Sequence, residues 1–141
     1  MLRRVTFRSM RGQRNFVPVY IVKSLPPRRV LVAEDEALVS MLIEEELTEA
    51  GYAVAGPFAT CADAFAWLSL NSPDLAVLDH ELRDGPCTDI ASELRLRGIP
   101  FLALTGSRPE DLPAVLREAP TIMKPDGLGR LPGVLEAMLV G

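Results

Sequence analysis

The stretch Val30-Leu-Val-Ala-Glu34-Asp35 decides how this chain folds. Four uncharged apolar residues, two of them β-branched, end abruptly in two acids. That is the pattern of a strand buried on both faces and stopped at a polar sheet edge. Three further runs repeat it: Leu75-Ala-Val-Leu78 before Asp79, Phe101-Leu-Ala-Leu104 before Thr105, and Thr121-Ile-Met123 before Lys124. In a parallel sheet all of these ends lie on the same edge. Three carboxylates, a hydroxyl and an ammonium then converge on one acidic site.

Between the runs the apolar period lengthens to that of a helix. Val39, Leu42, Ile43, Leu47 and Ala50 fall at helical spacing, with Glu46 alone out of character, and Gly51 can end that helix. Tyr52-Ala-Val-Ala-Gly-Pro-Phe58 reads as a further strand. Thr60-x-x-Asp63 resembles a capping box and opens a helix holding Phe65 and Leu68. Arg83-Asp-Gly-Pro86 leads to a helix near residues 89–97, which Gly98 ends. Ser107-x-x-Glu110 is a second capping box, with Pro109 in the first turn and Leu112, Val115, Leu116 and Ala119 as the buried stripe. A final helix buries Leu128, Leu131, Leu135, Met138 and Leu139. Five strands alternating with five helices predict a doubly wound α/β domain over residues 30–141, helices on both faces of a parallel sheet.

Residues 1–29 are a different kind of polymer. They carry eight Lys/Arg and no acid, whereas residues 30–141 carry seven Lys/Arg and nineteen Asp/Glu, a net −12 within the overall −4. Phe16-Val-Pro-Val-Tyr-Ile-Val22 could form a short extended piece, but Pro18 argues against a central strand. The segment is expected to be a basic, disordered arm, with a poor match to a signal peptide. No run approaches the roughly 18 apolar residues of a spanning helix. Cys61 and Cys87 form no C-x-x-C or Cys/His spacing and read as reduced, structural thiols, which fits a cytoplasmic location. His80 is the sole histidine, so zinc has little to bind to.

Ligands of open parallel sheets bind beyond the carboxyl ends of the strands, where the strand order reverses. With order 2-1-3-4-5 the first and third strands are neighbours there, and Glu34, Asp35 and Asp79 come close together. Carboxylates so placed resist simultaneous ionisation unless a cation sits among them. Mg²⁺, which takes oxygen ligands and keeps several waters, fits that need. A carboxylate beside Mg²⁺ and a lysine points to phosphoryl transfer.

The series Glu34-Asp35, Asp79, Thr105 and Lys124-Pro125, on five alternating units, resembles the receiver domain of two-component response regulators. The resemblance implies the flavodoxin-like sheet and a phosphoryl group accepted on Asp79 from a histidine kinase or histidine phosphotransfer protein. It implies Mg²⁺ held by Glu34, Asp35, Asp79 and the backbone carbonyl of Glu81, whose side chain tunes dephosphorylation. Thr105 matches the switch hydroxyl and Lys124 the phosphoryl contact, with Gly106 in the following loop and a cis bond before Pro125. Three positions depart from the common pattern: Thr121 where many receivers have Tyr or Phe, Asp126 after Lys124-Pro125 where Phe is common, and Arg83 where Pro often stands. Pro100-Phe-Leu-Ala-Leu-Thr-Gly106 is similar to a variant subgroup with a Pro-Phe-x-x-x-Thr-Gly fourth strand.

Other conspicuous residues read as structural. Alternation puts His80 on the opposite face from Asp79, Trp67 as packing, and Glu44-Glu45-Glu46 as a solvated helix face. The expected function is a stand-alone phosphoacceptor switch, not an enzyme, ending at Gly141 without an output domain. It acts through an unknown downstream protein rather than specific nucleic acid or membrane. A phosphorylation-independent scaffold is one alternative, and a small Mg²⁺-dependent phosphatase with Asp79 as nucleophile is another. The oligomeric state is left open.

Overall fold

Alternate residues of the apolar runs go to opposite sides of one sheet, and both sides are covered. The computed structural model describes residues 2–7, 17–22, 26–106 and 108–140. Its main sheet is built from β3 (Arg29–Ala33), β4 (Ala53–Phe58), β5 (Leu75–Asp79), β8 (Phe101–Thr105) and β9 (Thr121–Met123), in the order β4-β3-β5-β8-β9 and parallel throughout. Counting these five strands alone, that is order 2-1-3-4-5. Leu31, Ala33, Ala76, Leu78, Phe101 and Ala103 pack on one side against α2 (Cys61–Leu70), α3 (Thr88–Leu96) and Leu116 of α4 (Ala114–Arg117). Val30, Val32, Leu75, Val77, Leu102 and Leu104 pack on the other against α1 (Ala37–Glu49) and α5 (Leu131–Val140). β5 and β8 are buried at every residue and so carry no polar face, whereas the edge strand β9 leaves Met123 about half exposed.

Local sequence explains most boundaries. The Thr60 hydroxyl accepts a hydrogen bond from the Asp63 N–H at 3.1 Å and caps α2. Trp67 packs its ring against Phe58, with centroids 6.2 Å apart, and the Arg29 guanidinium lies 5.8 Å from its centre. Gly56 sits at φ +99° in β4, and a Cβ there would lie 2.8 Å from the Val32 carbonyl oxygen. The β3–β4 register shifts at this point, so that Ala33 pairs with Phe58. Only glycine fits both the dihedral and the close approach. The short turn after β5 is a hairpin of β6 (Glu81–Leu82) and β7 (Gly85–Pro86) around Arg83 and Asp84.

Two expectations are corrected. The fourth helix is not continuous: a 3₁₀ turn spans Pro109–Asp111, and α4 is a single turn that begins only after Pro113. A helix running through Pro113 would lose that residue's hydrogen bond and drive its ring into the preceding turn, and Leu112 before it is accordingly extended at ψ 149°. Leu112 and Leu116 are still buried as the stripe required. Ser107, the proposed cap, lies outside the described residues. The basic segment also differs from a featureless arm, since β1 (Leu2–Phe7) pairs antiparallel with β2 (Val17–Val22), in a sheet separate from the main one. Both stretches are rich in β-branched and aromatic residues, and Pro18 stands at the second position of a two-stranded ladder where no central strand is required.

Gly56→Ala should lower stability by about 2 kcal/mol, because the added methyl must push apart two backbones. Chemical denaturation of the two proteins checks this, with a loss below about 0.5 kcal/mol contradicting the close approach.

Candidate functional site

Glu34 and Asp35 follow β3, Asp79 ends β5, Thr105 ends β8, and Lys124 follows β9. Glu34, Asp79 and Thr105 are buried, which is unusual for polar residues and marks the site. The Lys124 ammonium is the hub. It donates to Glu36 Oε1 at 2.8 Å, Asp79 Oδ2 at 3.0 Å, Glu34 Oε2 at 3.1 Å and Glu34 Oε1 at 3.2 Å. Its backbone N–H also donates to the Thr105 carbonyl at 2.8 Å, tying the ends of β8 and β9 together. The Lys124-Pro125 bond is cis. Gly127 closes the loop, because a Cβ there would fall 2.8 Å from the Met123 carbonyl oxygen.

Burial and charge act against one another here. Burial pushes the Glu34 carboxyl up to about 7, with the Asp79 charge adding to the rise, although the Glu36 N–H and Lys124 pull it down. Burial also pulls the Lys124 ammonium down. Hydrogen bonds to Glu36 and Asp79, with the charges of Asp79 and Glu34, outweigh that and hold it above its ordinary value. Carboxylate oxygens of Glu34, Asp35, Glu36 and Asp79 all lie within 4.8 Å of one another. Among the described residues the Asp35 carboxylate has no hydrogen-bond partner. The oxygens of Glu34, Asp35 and Asp79, with the Asp35 carboxylate uncommitted, are hard donors that fit a divalent cation such as Mg²⁺.

Glu36 was missed by sequence reasoning. The only signal was its place as the third acid in Glu34-Asp35-Glu36, next to a helix start where an acid is ordinary. His80 is corrected as well. Strand alternation does not govern it, because β5 ends at Asp79, and its Nδ1 turns back to 3.6 Å from Asp79 Oδ1. Glu81 is exposed, and its backbone N–H points at Asp79 Oδ1 over 3.4 Å. Gly106 is exposed at the mouth, and half-buried Thr121 donates to the Ala119 carbonyl.

The hairpin between β5 and α3 is anchored away from the acids. Asp84 accepts from the Cys61 and Ala62 N–H groups at 2.6 and 3.0 Å, which holds its carboxyl below the usual range. Cys61 and Cys87 have sulfurs 3.9 Å apart as free thiols. Burial raises both thiols, so neither is a ready nucleophile.

Comparison with known proteins places this geometry. No family model matches the chain. SdrG from Sphingomonas melonis Fr1 superposes with a TM-score of 0.72 at 31% identity, over 82% of this chain and 99% of that one. The chain belongs to the response-regulator receiver family. The receiver domain of the PhyR response regulator from Erythrobacter litoralis gives a TM-score of 0.70 at 27% identity, over 81% and 91% of the two chains. The transcriptional regulatory protein PdtaR of Mycobacterium tuberculosis is 41% identical over 96 residues, 66% of this chain and 46% of that protein. The chain therefore spans about half the length of the curated relatives it matches. No helix among the described residues is long and apolar enough to cross a membrane.

Metal binding needs the ionised carboxylates. With Glu34 near 7, Mg²⁺ affinity should weaken about tenfold on lowering the pH from 8 to 6, and Glu34→Gln should flatten that dependence. Calorimetric titration across the range checks it. A wild-type affinity independent of pH would show that Glu34 stays ionised throughout.

Proposed function

We propose that this receiver is a phosphoacceptor switch in which Asp79 takes a phosphoryl group from a histidine kinase or histidine phosphotransfer protein. The observation that carries this is the buried Asp79 carboxylate, held 3.0 Å from the Lys124 ammonium inside a cluster of acids. Attack by an Asp79 oxygen forms the new P–O bond as the donor's P–N bond breaks, and the imidazole leaves. Glu34, Asp35, Asp79 and the Glu81 carbonyl would hold Mg²⁺, which supplies neutralising charge for the transferred oxygens. Lys124 supplies a second positive charge, 3.0 Å from Asp79 Oδ2. The Asp79 carboxylate is contacted by Lys124 and the Glu81 N–H, and His80 Nδ1 lies 3.6 Å from it.

The signal is read out through Thr105. Its side chain is buried beside the site and its carbonyl holds the Lys124 N–H, so movement of either residue is felt by the other. The Thr105 hydroxyl moves toward the phosphoryl oxygens and draws the loop from Gly106 toward the Pro109–Asp111 turn. Two prolines make that segment a set of short pieces rather than one stiff helix, so displacement concentrates there. Thr121 offers no aromatic ring to relay it along β9. The product is an altered protein-binding surface. Specific nucleic-acid binding is disfavoured, because the net −12 of residues 30–141 repels a polyanion. A BeF3-activated conformation exists for SdrG, which aligns at 32% identity and a TM-score of 0.64, and this likeness supports an activated form of this chain as well.

Asp79→Asn should abolish phosphate uptake from a small phosphodonor in Mg²⁺, whereas the unaltered protein labels. Mass spectrometry reads the added phosphate, and equal labelling of the variant would sink the assignment. Residues 1–29 form a separate basic arm in this reading, so removing 1–28 should leave phosphorylation unchanged and shift the melting temperature by less than about 3 °C. A larger loss would show that the arm packs on the domain.

A further inference from the structure

Lys124 has three N–H donors, and all are engaged by Glu36, Asp79 and Glu34. While Asp79 is still a carboxylate, an incoming phosphoryl oxygen can therefore reach the ammonium only if one of these three acids gives way. The three are not equivalent. The Glu34 and Asp79 side chains are 0% and 5% exposed, and either would be left a buried charge without its partner. The Glu36 side chain is 60% exposed, so water can replace the ammonium there at little cost. Glu36 nonetheless makes the shortest of the contacts.

Helix capping does not account for Glu36. It occupies the N-cap position of α1, yet its side chain bonds to none of the first-turn N–H groups. Its own N–H is taken by Glu34 Oε1 at 3.0 Å, which fixes the backbone so that the carboxylate faces Lys124.

We propose that Glu36 is a positioning residue that competes with the incoming phosphoryl group for Lys124, and so sets how readily Asp79 is phosphorylated. The inference rests on the phosphoacceptor reading above and deepens it. With the acid in place the ammonium is held toward the start of α1. Once a phosphoryl oxygen arrives, Lys124 turns from Glu36 to that oxygen, while Glu36 passes to solvent. The competition is local, through one contact, and is distinct from the general negative charge of the site mouth.

The test compares the full chain with Glu36→Gln and Glu36→Ala, using beryllofluoride at saturating Mg²⁺ followed by fluorine NMR. Both variants should bind the probe roughly two- to fivefold more tightly, the scale of one exposed ion pair. Uptake from a small phosphodonor should quicken by a similar factor. Before any ligand is added, the side-chain nitrogen resonance of Lys124 should move in both variants. Mg²⁺ affinity should stay within about threefold of wild type, since the ammonium remains on Glu34 and Asp79. Unchanged beryllofluoride affinity, or an unmoved Lys124 resonance, overturns the inference while leaving the phosphoacceptor reading standing. A larger loss of Mg²⁺ affinity makes Glu36 a metal-holding residue and likewise overturns it. A wild-type protein that neither labels nor binds beryllofluoride overturns both readings.

Discussion

One buried ammonium lets this acidic site exist. Glu34 and Asp79 lie almost wholly out of solvent and a few ångströms apart, an arrangement that their mutual repulsion and desolvation oppose. Lys124 arrives from the far end of the chain, 90 residues from Glu34 and 45 from Asp79, and places its charge among them. Breaking such a buried pair on one side typically costs about 3–5 kcal/mol, because the remaining charge has nowhere to go. All three donors of that ammonium are in use, on Glu34, Glu36 and Asp79.

The sheet exists to bring those distant residues together. With both faces covered, β3, β5 and β8 have no freedom to slip by one residue, because a slip would exchange every side chain between the two cores. The register therefore fixes which residue stands at each carboxyl end. The price in local irregularity falls on the edges, where Gly56 shifts the β3–β4 pairing and the loop after β9 turns through Pro125 and Gly127. Chemistry is concentrated where the regular structure stops.

The segment joining β8 to β9 contrasts with that rigidity. Pro109 and Pro113 divide it into a 3₁₀ turn and a single helical turn, anchored to the core mainly by Leu112 and Leu116. Thr105 stands at its root, and the Thr105 carbonyl is bonded to the backbone of the lysine that holds the acids. Two adjacent strand ends, those of β8 and β9, thus meet at one backbone hydrogen bond beside Asp79. Short pieces with few buried anchors move more readily than a continuous packed helix.

The sequence by itself determined the sheet, its two-sided burial and the five residues at the strand ends, because period-2 apolar runs ending in polar residues have few other solutions. It also showed the Thr60 cap and the packing role of Trp67. The break at Pro113 was legible in principle, but a persuasive apolar stripe over Leu112–Ala119 outweighed it. Three things only the tertiary structure decided. Glu36 joins the site because Lys124 comes within reach from 88 residues away, which no local pattern encodes. His80 turns toward Asp79 because the strand ends one residue earlier than alternation assumed. The pairing of Leu2–Phe7 with Val17–Val22 depends on contacts between two stretches that carry no strong period of their own. Local sequence sets what each segment can be; long-range charge and chain-end geometry set which side chains meet.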